Sequence, residues 1–533
     1  MPDPPVLITG AGPTGLLLAH ELLRRQIPIL IIDKRPSPSS TSRAFTIHAR
    51  SMEMFDHMGI AARLEEVCLQ CPGNIYHFPW LNEAECPRTD FRALQTRFAF
   101  YYKISQDQFE GVLREHLQGC YGVGVEFGRE VVGVVQDQSW DGVRVVMGRR
   151  DGKLEEERYR YVVGCDGVHS TVRKEAGIQF EGRKMGVMGM MDVELQNVTF
   201  DDRWMNYFFN ETLFMNCTKL PGKYWRIYMS EPESKYVHRE DPRKSYQEAA
   251  DELGMGIKVG TPAWVTAWSV PSYMATQYRN HRVIICGDAC HVHSPAGGQG
   301  MNCCMQDSFN LGWKLAAVVK GHACEKILDS YEKERKPIGY QVNEGAMATH
   351  KIVMGFGVPL EDRYPLTQET DWEERTVNLV SGLSHNYCDV AVLPTGLTPV
   401  SGPRPGERAP DALLVKEPRK RLYDVYRRPQ FTLLVAGGTN DRVVDAGMKA
   451  RECLDARFPN QVSTYLISRE HVPRFDFDHQ CHDEEKEFVQ RYDIPPEGRL
   501  VLVRPDLYVG MACKPEEWGF VGEYLEQWFD FPL

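Results

Sequence analysis

The run VLITGAGPTGLLLAHELLRRQIPILIID, residues 6–33, decides the fold. Four apolar residues lead into a glycine-rich turn, a helix-forming stretch with a broad apolar stripe follows over residues 16–25, and a second apolar run ends at Asp33. This order of strand, turn, helix and strand predicts a βαβ unit. We therefore expect the chain to begin with an α/β domain.

The turn at residues 10–15 matches the pattern G-x-G-x-x-G. Gly10 permits the sharp turn, Gly12 lets a pyrophosphate approach the backbone, and Gly15 lets the helix pack closely on the strand. The positive end of the helix attracts phosphate. Asp33 follows at the distance where a carboxylate binds an adenosine ribose. The hexapeptide alone is weak evidence, but its place between strand and helix favours a dinucleotide site over a plain glycine turn.

The bulk composition narrows the class of protein. A chain of 533 residues is long enough for two or three domains, and a net charge of -11 disfavours a nucleic-acid partner. No apolar run is long enough to cross a membrane, and the strand at residue 6 begins too early for a secretory signal. The 15 cysteines are scattered and odd in number. We expect a cytoplasmic protein with reduced thiols, no membrane association and no metal site.

The middle of the chain has a different pattern. From about residue 185 to 273, short runs rich in aromatic and β-branched residues alternate with turns, and Pro221 and Gly222 separate two of the runs. This predicts an antiparallel sheet with a hairpin at residues 221–222, able to wall a site for an aromatic ligand. Residues 394–410 are rich in proline and glycine and predict a linker. Strands near residues 431–435, 462–467 and 500–503 predict a separate α/β unit beyond it.

Two further motifs lie next to each other before a predicted helix. GDACHVHSP covers residues 287–295, after a buried-strand pattern, and GGQGMN covers residues 297–302. Together they place Asp288 at the end of a strand and a glycine loop at the N-terminus of a helix. That arrangement suits a flavin, since the carboxylate can bind its hydroxyls and the helix end favours the anion that reduced flavin becomes.

With these motifs the sequence resembles the class A flavoprotein monooxygenases, the family of p-hydroxybenzoate hydroxylase and phenol 2-monooxygenase. The family's GD motif matches Gly287 and Asp288 with Pro295, and its GGQGMN loop matches residues 297–302 letter for letter. Its DG motif matches residues 166–167, its arginine-rich segment matches residues 42–53, and its ISQ element matches residues 104–106. These matches occur in the family's order over the first 340 residues or so.

The resemblance implies a domain organisation. A Rossmann-type FAD-binding domain would comprise residues 1–75, 104–184 and 275–345. An antiparallel-sheet substrate domain would comprise residues 76–103 and 185–274, and a helical connection residues 346–395. Residues 396–533 resemble the thioredoxin-like C-terminal domain of the phenol hydroxylase branch, which is expected to be structural, with a homodimer as one expectation for the assembly.

The resemblance also implies the chemistry. FAD is held non-covalently, NADPH or NADH docks transiently to reduce it, and O2 then forms a flavin C4a-hydroperoxide that hydroxylates an electron-rich phenolic ring. The expected cofactor-binding residues are Gly10, Gly12, Pro13, Thr14, Gly15, Asp33, Lys34, Arg43, Gln106, Asp166, Gly287, Asp288, Gly298, Gly300, Met301 and Asn302.

The residues that act on the substrate are less clearly marked. Phenol hydroxylase places an arginine and a tyrosine two positions apart on a strand, and Arg226 and Tyr228 match that spacing. The functional interpretation is that Tyr228 binds the substrate or peroxide and Arg226 lowers the pKa of the phenol, whereas an ordinary strand with a surface arginine and a packed tyrosine is the favoured alternative. Pro295 is also assigned to the reacting site. The relative's active-site aspartate aligns with Phe45, so no carboxylate base is evident. Aromatic residues expected to line the substrate pocket are Tyr207, Phe209 and Trp225.

Alternatives remain at this point. The same flavin chemistry serves epoxidation and Baeyer–Villiger oxidation, and a non-catalytic flavin-binding scaffold would carry the same motifs. His291 and His293 could be metal ligands, but their place inside the GD motif favours a part in the flavin site. Cys303 and Cys304 are interpreted as packing residues.

Overall fold

The computed structural model describes residues 5–39, 44–137, 142–231, 235–237, 240–293, 297–416, 418–438, 440–473, 475 and 480–529. In this part of the chain no helix has the length and apolar character needed to span a lipid bilayer.

The first part of the chain contains the expected βαβ unit. Its elements are β1 (Val6–Thr9), α1 (Pro13–Leu23), β2 (Ile29–Asp33), β3 (Thr46–Ile47), α2 (Ala49–His57), α3 (Ala61–Val67), β4 (Leu69–Cys71), β5 (Gly73–His77), β6 (Arg88–Asp90), β7 (Tyr101–Lys103), α4 (Gln106–Tyr121), β8 (Glu126–Phe127), β9 (Arg129–Asp137), β10 (Gly142–Arg149), β11 (Leu154–Tyr159), β12 (Tyr161–Gly164) and α5 (Thr171–Glu175). Strands β1 and β2 are parallel, with Leu7 opposite Leu30. The prediction of a βαβ start is confirmed.

The central part forms a large sheet and completes the first one. Its elements are β13 (Phe180–Gln196), β14 (Met205–Phe209), β15 (Phe214–Lys219), β16 (Trp225–Ser230), α6 (Pro242–Glu252), β17 (Lys258–Ala275), β18 (Arg279–Asn280), β19 (Val283–Ile285) and β20 (His291–Val292). The eight-stranded sheet has the order β20-β17-β13-β16-β15-β14-β5-β6. Its neighbours pair antiparallel, apart from β14 with β5. The predicted hairpin at residues 221–222 joins β15 to β16.

The topology of the first sheet brings the motifs together. Its strand order is β18-β19-β12-β1-β2-β8, and β19, β12, β1, β2 and β8 run parallel. The carboxyl ends of β1, β12 and β19 therefore lie at one edge. Residues 10–15, 166–167 and 287–288 directly follow those ends, at the edge where open α/β sheets bind their ligands.

The long helices lie between the sheets and the C-terminal part. They are α7 (Gln299–Val319) and α8 (Lys326–Val353), followed by the shorter α9 (Leu360–Arg363) and α10 (Trp372–Ser381). Helix α7 begins at Gln299, within the GGQGMN motif, because Gly298 in the left-handed region (φ 63°) ends the loop there. Helix α8 extends to Val353, where it reaches the eight-stranded sheet.

The C-terminal unit is built on its own five-stranded sheet. Its elements are β21 (Leu413–Val415), β22 (Lys420–Arg421), α11 (Leu422–Val425), β23 (Phe431–Ala436), α12 (Asp441–Arg457), β24 (Val462–Ser468), β25 (Gln480–His482), α13 (Glu487–Arg491), β26 (Arg499–Val503), β27 (Val509–Cys513) and α14 (Gly519–Glu526). The sheet order is β25-β24-β23-β26-β27. The three predicted strands are present, and the likeness to thioredoxin stays a prediction.

The two faces of the eight-stranded sheet pack against different parts of the molecule, because successive side chains of a strand point to opposite sides. Trp225, Ile227 and Met229 belong to a core shared with α6. Tyr228 belongs to a second core, which includes Val353 at the end of α8. The face that carries Tyr228 is the one that meets the flavin motifs.

Candidate active site

A cavity of about 970 Å³ lies where the motif-bearing edge of the parallel sheet meets the eight-stranded sheet. One part of its wall comes from the predicted cofactor residues Pro13, Thr14, Gln106, Asp288, Gly298, Gly300 and Met301. Another part is apolar and comes from Met188, Met205, Phe214, Trp268, Val353 and Met354. One side of this single cavity is therefore polar and rich in glycine, and the other side is apolar and aromatic.

The turn at residues 10–15 requires glycine for steric reasons. Gly10 has a φ of 96°, and a β-carbon there would overlap the carbonyl oxygen of Cys165. A β-carbon on Gly15 would overlap the carbonyl oxygen of Gly10. Both glycines thus serve the close packing of α1 against β1 and β12, the role expected of a dinucleotide turn.

Asp33 holds the same turn from the end of β2. Its carboxylate accepts a hydrogen bond from the Ala11 backbone N–H at 2.8 Å and from the Arg35 side chain at 2.9 Å. Burial alone would raise the pKa of Asp33, but the Arg35 and Ala11 hydrogen bonds outweigh it and lower the pKa. An ionised carboxylate is thus held at the position where the sequence predicts ribose binding.

The N-terminal ends of α1 and α7 meet at the cavity. A β-carbon on Gly287 would lie only 2.6 Å from the Thr14 hydroxyl, and the Ser308 hydroxyl donates to the Thr14 carbonyl at 2.8 Å. Asp288 lines the cavity beside them and accepts a hydrogen bond from the Cys304 thiol at 3.2 Å. Two positive helix ends converging on one cavity favour an anionic ligand.

Asn302 fixes the glycine loop from within the protein. Its side-chain oxygen accepts from the His48 backbone N–H at 2.9 Å and the Ser51 hydroxyl at 2.8 Å. Its amide nitrogen donates to the carbonyls of Thr46 and Gly298 at 3.0 and 3.1 Å. Its amide group therefore positions the loop, and the expected direct contact with the cofactor has no support from this arrangement.

The remaining predicted cofactor residues are more scattered. Asp166 caps α5 by accepting from the backbone N–H of Thr171 at 2.7 Å, and burial raises its pKa. Arg173, on α5, lines the cavity and donates to the Ala289 carbonyl at 3.0 Å. Lys34 is exposed. Arg43 and Pro295 lie outside the described residues.

Three polar residues form a row across neighbouring strands of the large sheet. Asn216 of β15 lies opposite Tyr207 of β14 on one side and opposite Tyr228 of β16 on the other. All three line the cavity. The Tyr228 ring also packs 5.5 Å from the Phe45 ring, measured between centroids. The apolar wall is thus interrupted by one line of hydrogen-bonding groups.

Comparison with known proteins agrees with this architecture. A family profile described as an FAD binding domain matches residues 3–346. Pentachlorophenol 4-monooxygenase of Sphingobium chlorophenolicum is 38% identical over 511 residues, covering 95% of this chain and 93% of the relative. The 6-methylpretetramide 4-monooxygenase of Streptomyces rimosus is 33% identical, covering 97% and 91%. The solved structure of OxyS anhydrotetracycline hydroxylase from Streptomyces rimosus matches with a TM-score of 0.77 at 27% identity over 99% of each chain.

The chain belongs to the class A FAD-dependent monooxygenase family. The fold class expected from the sequence, a Rossmann-type FAD domain with a substrate-binding sheet, is confirmed. The residues present fit FAD, because the N-terminal ends of α1 and α7 meet at the cavity, Gly298 and Gly300 line its wall, and the ionised Asp33 holds the glycine turn at the end of β1.

Arg226 of this monooxygenase has a different place from the one expected. Its side chain is fully buried and donates to both carboxylate oxygens of Asp192, from Nε at 2.8 Å and from a terminal nitrogen at 2.7 Å. The register of β13 with β16 sets these two residues opposite each other. Arg226 lies behind Phe45, 5.7 Å from its ring centroid, so it is neutralised and screened from the cavity. The expected role in lowering the pKa of a phenol is not supported by this geometry.

Two of the three aromatic residues predicted to line the pocket of the monooxygenase do not line the cavity. Trp225 points to the opposite face of the sheet and packs edge-on to Phe200 at 5.8 Å. Phe209 packs edge-on to Phe78 at 5.0 Å. Tyr207 does line the cavity. Strand alternation explains Trp225, because residues 226 and 228 occupy the other face.

The sequence interpretation missed several residues of the cavity wall. Asn216 had a usable signal, since the hairpin at residues 221–222 sets it opposite Tyr228. No sequence pattern indicated that Val353 and Met354 would line the cavity, because the point at which α8 ends beside the sheet depends on tertiary packing.

The sequence of the monooxygenase contains one C-x-x-C spacing, at Cys68 and Cys71, which is the spacing of thiol redox sites. Both thiols are free, and burial raises the pKa of Cys68 to about 12. Because the thiolate is the reactive form, these thiols are poorly suited to redox exchange.

Proposed function

We propose that this protein hydroxylates a phenolic ring, with O2 as the oxygen source and NADPH or NADH as the electron donor. The observation that carries the proposal is the single cavity shared by the flavin motifs and the apolar sheet wall. When bound, FAD supplies the oxidation chemistry: it takes electrons from a nicotinamide and activates O2.

The relatives support a phenolic substrate. Pentachlorophenol 4-monooxygenase is named for a phenol, and it is similar to this chain over 95% of its length. The 6-methylpretetramide 4-monooxygenase shows that a similar chain of comparable coverage acts on a different compound. We therefore propose that the substrate of this protein carries an aromatic hydroxyl group, and that the size of the ring system is what differs between this protein and its relatives.

The residues of the cavity have separable roles in this proposal. Methionine and aromatic side chains exclude water from the ring, which protects a reactive oxygen donor from hydrolysis. The Tyr228 hydroxyl donates to the substrate oxygen and orients the ring. The helix ends at Pro13 and Gly298, with Asp33 and Asp288, hold the cofactor.

The row of Tyr207, Asn216 and Tyr228 suggests the size of the substrate. Adjacent strands lie about 4.8 Å apart, so the row spans roughly 10 Å. That length matches two fused aromatic rings better than one. We propose a substrate with two or more rings and polar groups at both ends.

Oxidation of NADPH by the purified, FAD-loaded protein tests the function. Phenol, naphthols and hydroxylated polycyclic compounds would be added in turn, and products identified by mass spectrometry and NMR. We expect the substrate to increase the rate of NADPH oxidation, and we expect a product that carries one additional oxygen atom on a carbon of the aromatic ring. Insertion beside a carbonyl or across a double bond would identify Baeyer–Villiger oxidation or epoxidation instead. A protein that binds FAD and oxidises NADPH without oxygenating any aromatic compound would contradict the proposal.

A further inference from the structure

Methionine side chains form a reactive part of the cavity wall. In the part of the chain that the structure describes, Met188, Met205, Met301 and Met354 line the cavity. A thioether is a soft, polarisable group that takes up an oxygen atom, and the sulfoxide that results is polar. A cavity in which O2 is activated beside an apolar wall therefore offers these sulfur atoms to the same oxidant as the substrate.

Met188 lies beside the place proposed for the substrate oxygen. On β13 it pairs with Trp268 of β17, while Met190, two residues on, pairs with Tyr228 of β16. The pairing of β13 with β17 runs without a shift from residue 186 to 192, so Met188, Trp268 and Tyr228 share one face of the sheet. All three line the cavity, and the rings of Trp268 and Tyr228 are 6.3 Å apart between centroids. Diagonal neighbours on adjacent strands are about 7–8 Å apart, within reach of long side chains.

The other methionines of the wall are placed less directly. Met205 is the first residue of β14, which is separated from β16 by β15. Met301 lies in the first turn of α7, on the polar side of the cavity, and Met354 follows the end of α8. Met188 is therefore the thioether next to the side chain that is proposed to orient the substrate.

We propose that Met188 is a site of self-oxidation, which accepts an oxygen atom when the cavity holds no aromatic substrate. This inference rests on the proposed function, which supplies O2 and the electrons of NADPH or NADH. The oxidant is an electrophilic hydroperoxide, whose O–O bond breaks as an S–O bond forms at the sulfur of Met188. One atom of O2 ends in the sulfoxide, and the other leaves as water with the hydride of NADPH and one proton from solvent. The nicotinamide and the sulfur each give two electrons.

A bound substrate protects Met188, and the sulfoxide weakens later binding. An aromatic ring held by Tyr228 covers the neighbouring Met188 side chain and competes with it for the oxidant, because both side chains lie on one face of the sheet. A sulfoxide at Met188 places a polar S–O group in the apolar wall, where an aromatic ring cannot give it a hydrogen bond. The affinity for substrate therefore falls only in protein that has consumed NADPH with an empty cavity.

Mass spectrometry of the protein itself tests the proposal. The FAD-loaded protein oxidises NADPH in air without substrate, catalase removes H2O2 from solution, and fragment ions locate each added oxygen atom. We expect sulfoxide to accumulate at Met188 and not at Met191 or Met448. Met191 belongs to the core on the opposite face of the sheet, and Met448 is 41% exposed and reports oxidants in solution, whereas Met188 is 2% exposed. At about ten times its Kd, 1-naphthol should lower the yield at Met188 by about tenfold, since about one cavity in eleven stays empty.

A variant without the thioether provides a second readout. Met188→Leu removes the sulfur and conserves the apolar volume. After NADPH oxidation without substrate, we expect the KM of the unmodified protein for 1-naphthol to rise by about tenfold, the effect of one polar group without a partner in an apolar site. The same treatment should leave the KM of Met188→Leu at its own initial value. Met191→Leu is the matched control on the same strand, and its KM should rise as in the unmodified protein. FAD content verifies that each variant is folded.

The outcomes separate self-oxidation from the proposed function. A protein that hydroxylates a phenol but forms no sulfoxide at Met188, or forms it only at Met205, Met301 or Met354, would overturn the inference and leave the function intact. Sulfoxide at Met188 that forms only when catalase is left out would assign the oxidation to H2O2 in solution and would also overturn it. If Met188 is oxidised as expected and no phenol is hydroxylated, the proposed function alone fails. If neither NADPH nor NADH is oxidised, both fail.

Discussion

Asp192 lies directly across the sheet from Arg226 and accepts two hydrogen bonds from its guanidinium group, at 2.8 and 2.7 Å. Arg226 is fully buried, so the pair neutralises a charge that water cannot reach. Parallel hydrogen bonds from a guanidinium to a carboxylate are among the strong ones. The pair therefore stabilises the sheet behind the cavity, and it explains why the arginine is not available to a substrate.

Replacing Asp192 with Asn should destabilise the fold more than it alters chemistry. The variant leaves a buried guanidinium without its counter-charge, a change that costs about 3–5 kcal/mol in comparable cases. Urea unfolding of the FAD-loaded protein measures the loss. The matched control is Asp201→Asn, whose partner Arg203 is largely exposed, and its midpoint should barely move. Equal stability of the two variants would show that the buried Asp192–Arg226 pair contributes no more to the free energy of unfolding than the exposed pair does.

Tyr228→Phe should weaken catalysis while leaving the fold intact. Tyr228 lines the cavity, and a hydrogen bond from its hydroxyl group to a charged substrate oxygen would be worth about 1.5–3 kcal/mol, or roughly 10- to 100-fold in kcat/KM. Trp225→Phe, three positions away on the opposite face of the same strand, should leave kcat/KM close to that of the unmodified enzyme. A larger loss of kcat/KM in Trp225→Phe than in Tyr228→Phe would show that the substrate binds on the face of the sheet that carries Trp225, which contradicts the proposed site.

Two alanine substitutions in the loop at residues 297–302 should separate backbone strain from cofactor contact. Gly298 has a φ of 63°, and a β-carbon there would lie 2.7 Å from the Thr46 hydroxyl, so Gly298→Ala should lower the stability of the FAD-free protein. Gly300 has no protein atom within 4 Å of such a carbon. Gly300→Ala should leave the FAD-free protein unchanged and weaken FAD binding. Thermal unfolding measures the stability of the FAD-free protein, and flavin fluorescence titration measures its affinity for FAD. A Gly298→Ala variant as stable as the unmodified protein would show that a β-carbon at this position causes no strain.

Glu334 links the C-terminal unit to the rest of the molecule and should make stability depend on acid pH. It pairs with Arg504 at 2.7 Å and Lys314 at 2.6 Å in a buried cluster. Burial opposes ionisation of Glu334, but Arg504 and Lys314 outweigh it and lower its pKa far below the ordinary 4.5. A lowered folded-state pKa gives stability that is present above about pH 4.5 and lost as the pH falls.

Glu334→Gln should therefore be less stable at neutral pH and should lose less stability on acidification than the unmodified protein. Urea unfolding at a series of pH values below neutrality measures both effects. Glu66→Gln, which removes an exposed ion pair with Arg63, is the control and should keep the original pH dependence. A pH dependence that is identical in Glu334→Gln and the unmodified protein would assign the acid sensitivity to other carboxylates.

Local patterns predicted the parts of the structure that local rules determine. The unit β1–α1–β2 followed from the apolar runs and glycines of residues 6–33, and the three C-terminal strands followed from short apolar runs. The partner of Arg226 did not follow, because Asp192 lies 34 residues away on a strand whose register is set by bulges as well as by pattern. The contribution of Val353 and Met354 to the cavity did not follow either, since it depends on how α8 packs against the sheet.

Asn216 gives the sharpest test of substrate size. Its amide nitrogen donates to the Asn206 carbonyl at 3.2 Å and its oxygen accepts from the Thr218 hydroxyl at 2.9 Å. One N–H and one lone pair remain for a ligand, counted over the described residues. Asn216 lies one strand spacing, about 4.8 Å, from Tyr228, and Tyr207 lies one spacing further on, so the Asn216 amide can meet a hydroxyl group on the second ring of a substrate whose first hydroxyl binds Tyr228.

We expect Asn216→Leu to lower kcat/KM for 1,5-dihydroxynaphthalene by about tenfold, the value of roughly one hydrogen bond, and to change it little for 1-naphthol. The two compounds differ in one hydroxyl group, so the ratio of their kcat/KM values cancels any general effect on folding or FAD content. The ratio should be unaffected in Thr89→Val, which alters a buried polar contact of Asn74 elsewhere on the same sheet. An equal loss for both naphthols would mean that Asn216 supports the sheet and does not recognise the substrate.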